Sequence, residues 1–308
     1  AHEREVPASV GARVLDGAIP QALFEAVQEA FKPGAAFWRE HNYHDPSTGY
    51  FSYIMPAKPC GHRRDDDGGG KTARKSGREV KSLLEAVVAC VRAHAVAWLP
   101  AVSEGDTCEW WAHCRCHASG HQMHFDSAFE GETTGGAQNP ILSSVLYLSE
   151  GRVGGPTLVT NQRLKDTAMA SKGYLTHPKA NRLCMFQGDL LHGVLPGRGV
   201  VPNIKSARRV SLMFAFWPMM KGKAFEGATT GPARRLPLDR GARLWSSQLL
   251  RPLTKDEAEA AAQPEHSTAK PGRAEPISPI WWEVLKPETQ AAKGPLPIAP
   301  YEVCFQGF

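Results

Sequence analysis

The stretch CRCHASGHQMHFDSAF, residues 114–129, holds two cysteines, three histidines and one aspartate within sixteen positions. This density of side chains that bind metals predicts a metal site. If the stretch is a β-strand, His124 and Asp126 leave the same face about 6–7 Å apart along the chain, and Phe125 points to the other face. The two side chains can close on one ion when a third ligand comes from a neighbouring strand.

A third ligand is predicted within RLCMFQGDLLHGVLPG, residues 182–197. An apolar strand ends at Gly188–Asp189, a turn follows, and we expect the next strand to open with His192. Two imidazoles and one carboxylate suit ferrous iron and leave three coordination positions open, as in a catalytic rather than a structural site. The sequence therefore predicts that His124, Asp126 and His192 bind Fe(II).

Residues 208–218, RRVSLMFAFWP, alternate between an apolar face, expected to pack against helices, and a second face that carries Arg209 and Ser211. This second face is expected to point into the interior, where an unpaired guanidinium is costly. We expect an anion to meet Arg209, and a dicarboxylic acid reaching from the metal would accept hydrogen bonds from Arg209 and Ser211. A register shifted by one would replace this pair with Arg208 and Val210, which leaves the hydroxyl outside.

The order of these motifs (H-x-D, a distal His, then R-x-S on the last core strand) resembles the iron(II)/2-oxoglutarate-dependent dioxygenase superfamily. SSVLYLSEGRVGGPTLV, residues 143–159, is also similar to a strand–turn–strand segment of its prolyl-hydroxylase-type members. The resemblance covers about residues 108–218. It implies a double-stranded β-helix and hydroxylation with Fe(II), 2-oxoglutarate and O2, with ascorbate as a candidate reductant. It further implies that the far carboxylate of 2-oxoglutarate meets Arg209, Ser211 and Tyr147.

Two inserts and one substitution depart from the superfamily pattern. Residues 130–140 lengthen the gap after Asp126, residues 197–207 lengthen the gap before Arg209, and collagen-type prolyl hydroxylases usually have Lys at the position of Arg209. These departures leave the cofactor chemistry intact but weaken any transfer of substrate identity. The inserts are candidate lids that exclude water, 130–140 first and 197–207 third, with the charged, glycine-rich stretch 62–79 second.

The rest of the chain predicts a fold that is mainly β with flanking helices. Residues 20–34 and 78–100 carry apolar stripes at helical spacing, and the stretch between them is expected to form short strands or loops. After residue 105, short β-prone runs are separated by Gly, Pro, Asn and Asp, which is typical of an antiparallel sandwich or barrel. We expect a jelly-roll core packed against the N-terminal helices.

We predict one oxygenase domain over residues 1–235 and a wrapping extension over residues 236–308. Nine of the 24 prolines lie between residues 252 and 300. One short helix is expected in LTKDEAEAAAQP, where Thr254 and Glu257 are spaced as a capping box. Trp281 and Trp282 are expected to anchor the extension on the main domain.

The same residues allow other interpretations. A zinc site could be assembled from Cys108, Cys114, Cys116, His117 and His121, but only one residue separates Cys114 from Cys116 and the usual C-x2-C spacing is missing. His121 lacks a carboxylate two residues on, so we expect it beside the ligands or at the surface. Single histidines are expected at the surface, and three tryptophans are expected to pack in the core. These are His62, His113 and His177, and Trp110, Trp111 and Trp217.

The totals are ordinary for a soluble globular protein: 308 residues, 42% hydrophobic and 22% charged. No uninterrupted apolar run is about 18 residues long, so no membrane span is expected. The seven cysteines have no periodic spacing, which favours a reducing intracellular compartment. The chain begins with Ala1 rather than Met, so we expect it to be processed or trimmed.

The prime substrate is expected to be a peptide or protein side chain or a small metabolite. A nucleobase is less favoured, because only the net charge of +5 supports it. We expect a monomer. Two alternative functions stay open: a non-catalytic β-sandwich binding module, and an iron or manganese enzyme that does not use 2-oxoglutarate. Neither explains an arginine that points inward at position 209.

Overall fold

The computed structural model describes most of the chain. The described residues are 11–58, 80, 82–128, 137–149, 153–164, 166, 170–199, 201, 206–218, 233–237, 243–262 and 269–277. None of the helices within these ranges is long and apolar enough to cross a membrane.

The described residues form thirteen strands and five α-helices. The strands are β1 Ala12–Asp16, β2 Ser52–Pro56, β3 Thr107–Cys116, β4 His121–His124, β5 Leu142–Tyr147, β6 Thr157–Arg163, β7 Gly173–Thr176, β8 Arg182–Gln187, β9 Leu190–Val194, β10 Arg208–Trp217, β11 Ala233–Arg235, β12 Lys270–Pro271 and β13 Glu275–Ile277. The helices are α1 Gln21–Ala30, α2 Ala36–Glu40, α3 Leu83–Trp98, α4 Leu244–Leu249 and α5 Lys255–Ala262.

The strands form two sheets. The larger sheet has eight strands in the order β11-β2-β3-β10-β5-β8-β1-β12, and the smaller has five in the order β13-β7-β6-β9-β4. All pairings are antiparallel except that of β11 with β2, which is parallel. The prediction of a mainly β fold with flanking helices is therefore confirmed.

Strand β10 is central to the eight-stranded sheet, and its alternation is as predicted. Its even-numbered residues from 210 to 216 are buried in one core cluster together with residues of α1 and α3. Its odd-numbered residues from 213 to 217 are buried in a second cluster, which also holds Val159 and Leu190 of the smaller sheet. The helices therefore pack on one face of the larger sheet, and the smaller sheet packs on the other face.

The two predicted helices correspond to α1 and α3. Ser82 caps α3, because its hydroxyl oxygen accepts a hydrogen bond from the backbone N–H of Glu85 at 3.3 Å. The short helix α2 was not predicted. It forms where we expected strands or loops, because Phe37 and Trp38 are buried among the aromatic side chains beneath α1.

The C-terminal tail contains more structure than the single predicted helix. The capping box of α5 is confirmed, since Thr254 and Glu257 each bond the other's backbone N–H. Helix α4 was missed, and it forms because Trp245 is buried in the core between the helices and the larger sheet. Strand β12 pairs with β1 and β13 pairs with β7, so the tail adds an edge strand to each sheet. The boundary at residue 235 stays a prediction, and Trp281 and Trp282 lie outside the described residues.

The side chain of Asn181, just before β8, forms hydrogen bonds with the segment that precedes α1. Its side-chain oxygen accepts from the N–H of Ile19 at 3.0 Å, its amide nitrogen donates to the carbonyl of Ile19 at 2.8 Å, and its φ is 57°.

We expect Asn181→Ala to lower the free energy of unfolding by about 2 kcal/mol, because two buried backbone groups lose their partners. Asn42→Ala is the matched control, since Asn42 has a φ of 51° and an exposed side chain. Equal losses in urea unfolding of the two variants would mean that the backbone conformation, and not the side-chain bonds, accounts for the effect.

Candidate metal centre

The three predicted ligands come together at the edge of the five-stranded sheet. His124 on β4 lies opposite His192 on β9. Oδ1 of Asp126 is 3.6 Å from Nε2 of each imidazole, and the candidate ligand atoms all lie within 4.8 Å of one another. Within the described part of the chain, no other group of three or more His, Cys, Asp or Glu side chains has a spacing that fits a metal ion.

Two strand boundaries differ from the prediction. Strand β4 ends at His124, so Asp126 follows the strand instead of continuing it. The backbone carbonyl of Asp126 accepts from the amide of Asn139 at 2.7 Å rather than from a neighbouring strand, which explains the early end. Strand β9 begins at Leu190, so His192 is its third residue and not its first.

Both imidazoles are oriented by bonds to their own strands. Nδ1 of His124 is 2.8 Å from the carbonyl oxygen of Gln122, and Nδ1 of His192 is 2.9 Å from that of Leu190. Because a carbonyl oxygen can only accept, each Nδ1 carries the proton. Nε2, which lies on the side of Asp126 in both residues, is therefore the nitrogen that can bind a metal.

Asp126 is held in its charged form. Burial by itself raises the pKa of this carboxyl, but the neighbouring imidazoles of His192 and His124 lower it to well below its usual value. Burial likewise opposes the charged form of His124, but its interactions with Asp126 and with the carbonyl of Gln122 together outweigh burial and raise the imidazole pKa. The other carboxylate oxygen, Oδ2, accepts from the hydroxyl of Ser143 at 2.6 Å. Ser143 was not predicted, although it shares a face of β5 with Tyr147.

We expect Ser143→Ala to weaken divalent metal binding by about tenfold to a hundredfold, because the carboxylate loses the hydrogen bond that orients it. Ser144→Ala is the control: Ser144 is equally buried, but its hydroxyl donates to the carbonyl of Phe214 at 3.0 Å. Calorimetric titration with Fe(II) in the absence of oxygen measures both. Equal affinities in the two variants would contradict the role of Ser143.

Arg209 lines the same cavity as the three ligands. It is 4% exposed, and its Nη1 is 3.4 Å from the carbonyl oxygen of Gly155. Its Nε and the hydroxyl of Ser211 are buried without a hydrogen-bond partner among the described residues. Burial lowers the pKa of the guanidinium. A buried arginine with unsatisfied donors fits an anionic group that enters the cavity.

Tyr147 is fully buried behind this cavity. Its hydroxyl donates to Thr157 Oγ1, 2.6 Å away, and lies 3.1 Å from the carbonyl of Thr176. The tyrosine is therefore held by the smaller sheet, while Thr157 itself lines the cavity. The contact of Tyr147 with 2-oxoglutarate stays a prediction.

The absence of a side chain at Gly154 leaves space for the side chain of Arg209. The φ of Gly154 is +87°, and a Cβ at this position would lie 2.5 Å from Cδ of Arg209. We expect Gly154→Ala to displace the guanidinium and to weaken 2-oxoglutarate binding by about tenfold, since a charged hydrogen bond is lost, with Fe(II) affinity unchanged.

Gly199→Ala is the control for this substitution. Gly199 has a φ of +85° with nothing within 4 Å of the added Cβ, so it carries the same backbone cost without touching Arg209. Calorimetry of 2-oxoglutarate with the metal-loaded variants separates the two effects. A similar loss in both variants would exclude a specific effect on Arg209.

Three cavity residues were not predicted to lie there, and a fourth, His121, was expected beside the ligands or at the surface. His121 begins β4, and its ring centroid is 4.8 Å from that of His124, so it lies beside the ligands. His113 was expected at the surface, and Trp111 was expected only in the core, but both line the cavity, as does Tyr50. Trp111 and His113 face inward because odd-numbered residues of β3 share the face of Arg209 on β10. Burial lowers the pKa of His121 to about 3 and that of His113 to well below its usual value, so both are uncharged at neutral pH.

The predictions for the cysteines and loops have mixed outcomes. Cys108 and Cys114 are buried and Cys116 is exposed, and no zinc cluster forms among the described residues. Of the three candidate lids, 62–79 lies outside the described residues, while 130–140 and 197–207 are described only in part. Their role as lids stays a prediction.

No protein-family profile and no curated protein matches the chain. Solved structures do match. A prolyl-4-hydroxylase of Pseudomonas putida is 18% identical with a TM-score of 0.39, and the match covers 68% of this chain and 89% of the other. HygX of Streptomyces hygroscopicus, solved with nickel and 2-oxoglutarate bound, is 11% identical with a TM-score of 0.33, and the match covers 69% and 84%.

An oxidoreductase of the 2OG-Fe(II) oxygenase family from Burkholderia pseudomallei also matches, at 17% identity and a TM-score of 0.24, over 36% of this chain and 43% of the other. These neighbours include members of the superfamily that the motifs resemble. At such low identities and TM-scores the likeness does not identify the function of this chain, so the function has to be argued from the site.

Proposed function

We propose that this protein is an Fe(II)- and 2-oxoglutarate-dependent oxygenase that hydroxylates its substrate on a double-stranded β-helix. The observation that carries the proposal is a single cavity whose residues could bind both a metal ion and an anion. His124, Asp126 and His192 offer three ligand atoms to a metal, and Arg209 offers buried donors to an anion. A metal ion alone would leave Arg209 without an anionic partner, whereas a metal ion together with 2-oxoglutarate would satisfy both sets of residues.

The residues present fit these groups. Two imidazole nitrogens and one carboxylate oxygen suit ferrous iron and leave positions open for other ligands. Arg209 and Ser211, which share the inner face of β10, are placed to hold the far carboxylate of 2-oxoglutarate. When bound, iron and 2-oxoglutarate supply the oxidation: one oxygen atom of O2 enters succinate as CO2 leaves, and the other hydroxylates a substrate C–H bond.

The chain contributes binding, orientation and exclusion of water. Ser143 fixes the free oxygen of Asp126, and the carbonyls of Gln122 and Leu190 fix the two imidazoles. Phe186 packs against His192 with ring centroids 4.5 Å apart, so an apolar wall lies beside the ligands. Such a wall keeps water from a reactive centre.

Succinate formation tests the proposal. We expect the purified protein, supplied with Fe(II), 2-oxoglutarate and ascorbate, to form succinate slowly without prime substrate, and Asp126→Ala to form none above background. Asp126→Ala loses one of three ligands and, with it, the metal that positions 2-oxoglutarate. If the wild-type protein forms no succinate and its metal-loaded form does not bind 2-oxoglutarate in calorimetry, the co-substrate assignment is wrong.

A further inference from the structure

A groove opens beside the metal cavity. It is lined by residues 43–46 and 48–51, the end of β3, the start of β4 and Arg208 at the start of β10. Tyr50, His113 and His121 line both the groove and the cavity, so the two spaces adjoin. A molecule in the groove would therefore reach the predicted metal ligands past His121.

The groove is more positive than negative. Arg115 and Arg208 line it, and Asp45 is the one carboxylate among the described residues of its wall. The backbone N–H and the hydroxyl of Ser47 both donate to Oδ1 of Asp45, at 2.8 and 2.6 Å. This carboxylate is already engaged within its own turn, so the wall favours an anionic ligand.

Arg115 is the cation with the clearest need for a partner. It lies directly opposite Arg209 in the pairing of β3 with β10. Like charges that face each other across a sheet destabilise it. Nε of Arg115 is buried with no acceptor among the described residues. The guanidinium lies 5.9 Å from the centre of the Tyr43 ring, a contact that stabilises the charge but accepts no hydrogen bond from the guanidinium plane.

The space beside Arg115 is distinct from the space beside Arg209. Arg209 lines the metal cavity and Arg115 does not, whereas Arg115 lines the groove and Arg209 does not. His113, which lines both spaces, precedes Arg115 by two residues on the same face of β3. Its Nδ1 is held by the hydroxyl of Tyr43 at 3.0 Å. Two arginines in two adjoining spaces indicate two anions.

We propose that Arg115 binds an anionic group of the prime substrate, a carboxylate or a phosphate, and that the substrate lies along this groove with its reactive carbon toward His121. The proposal rests on the proposed function, and it narrows the substrate to acids. The rings of Tyr50 and Phe51 line the same groove, so an acid that carries an aromatic or flat apolar group fits its walls.

The test uses benzoate, which joins a carboxylate to a ring, and benzamide as its uncharged counterpart of the same shape. Full-length protein is loaded with Fe(II) and 2-oxoglutarate without oxygen and titrated by calorimetry. We expect benzoate to bind and benzamide to bind at least about tenfold more weakly, because a charge-assisted hydrogen bond is missing. Arg115→Met should weaken benzoate binding by a similar factor and leave 2-oxoglutarate binding intact, and Arg115→Lys should recover part of the loss.

Arg13→Met is the matched control, since Arg13 is an exposed arginine of β1 outside the groove. No benzoate binding by the wild-type protein, or equal binding by wild type and Arg115→Met, would overturn the proposal. Loss of 2-oxoglutarate binding in Arg115→Met would also overturn it, by assigning Arg115 to the co-substrate, and would leave the proposed function standing. Failure of the metal-loaded wild-type protein to bind 2-oxoglutarate would contradict the proposed function itself.

Discussion

A strand buried on both faces must find a partner for every polar side chain it carries, and β10 is such a strand. Its apolar face fills the core beneath the helices. Its other face carries Arg209 and Ser211, whose donors are buried. A buried guanidinium without an anionic partner is costly. The turn at Gly154, the cavity in front of Arg209 and the proposed co-substrate all follow from that one constraint.

The candidate metal centre is built from residues of both sheets. Two ligands come from neighbouring strands of the smaller sheet, and Asp126 comes from the loop that follows one of them. Ser143, which orients Asp126, belongs to the larger sheet. The packing of the two sheets therefore fixes the orientation of the Asp126 carboxylate. A substitution that separates the sheets would disturb this orientation even if all three ligands were unchanged.

The side chains on the inner face of β3 change from uncharged to positively charged along the strand. Trp111 and His113 are uncharged and line the cavity, and Arg115, at the next inward position, lines the groove. Uncharged imidazoles beside the cluster add no positive charge that would repel a metal cation. A fixed positive charge further out attracts an anion without competing for the metal. The strand thus joins the surroundings of the candidate metal centre to the arginine that we propose binds an acid.

Short β-prone runs separated by turn residues predicted the mainly β fold. The spacing of His124, Asp126 and His192 and the alternation of β10 predicted the residues of the candidate site, because side-chain direction in a strand follows from local geometry. Helix α4, Ser143 and the inward position of His113 were not predictable. Each depends on a segment that is distant in the chain. Helix α4 forms because Trp245 packs in the core, Ser143 acts because it meets Asp126, and His113 faces inward because β3 pairs with β10. Strand order and register join residues far apart in the chain, and no local pattern encodes them. The sequence by itself determined the metal-binding side chains and the inward position of Arg209, and only the tertiary structure placed Arg115 opposite Arg209, at the groove beside the cavity, because strand pairing is not encoded locally.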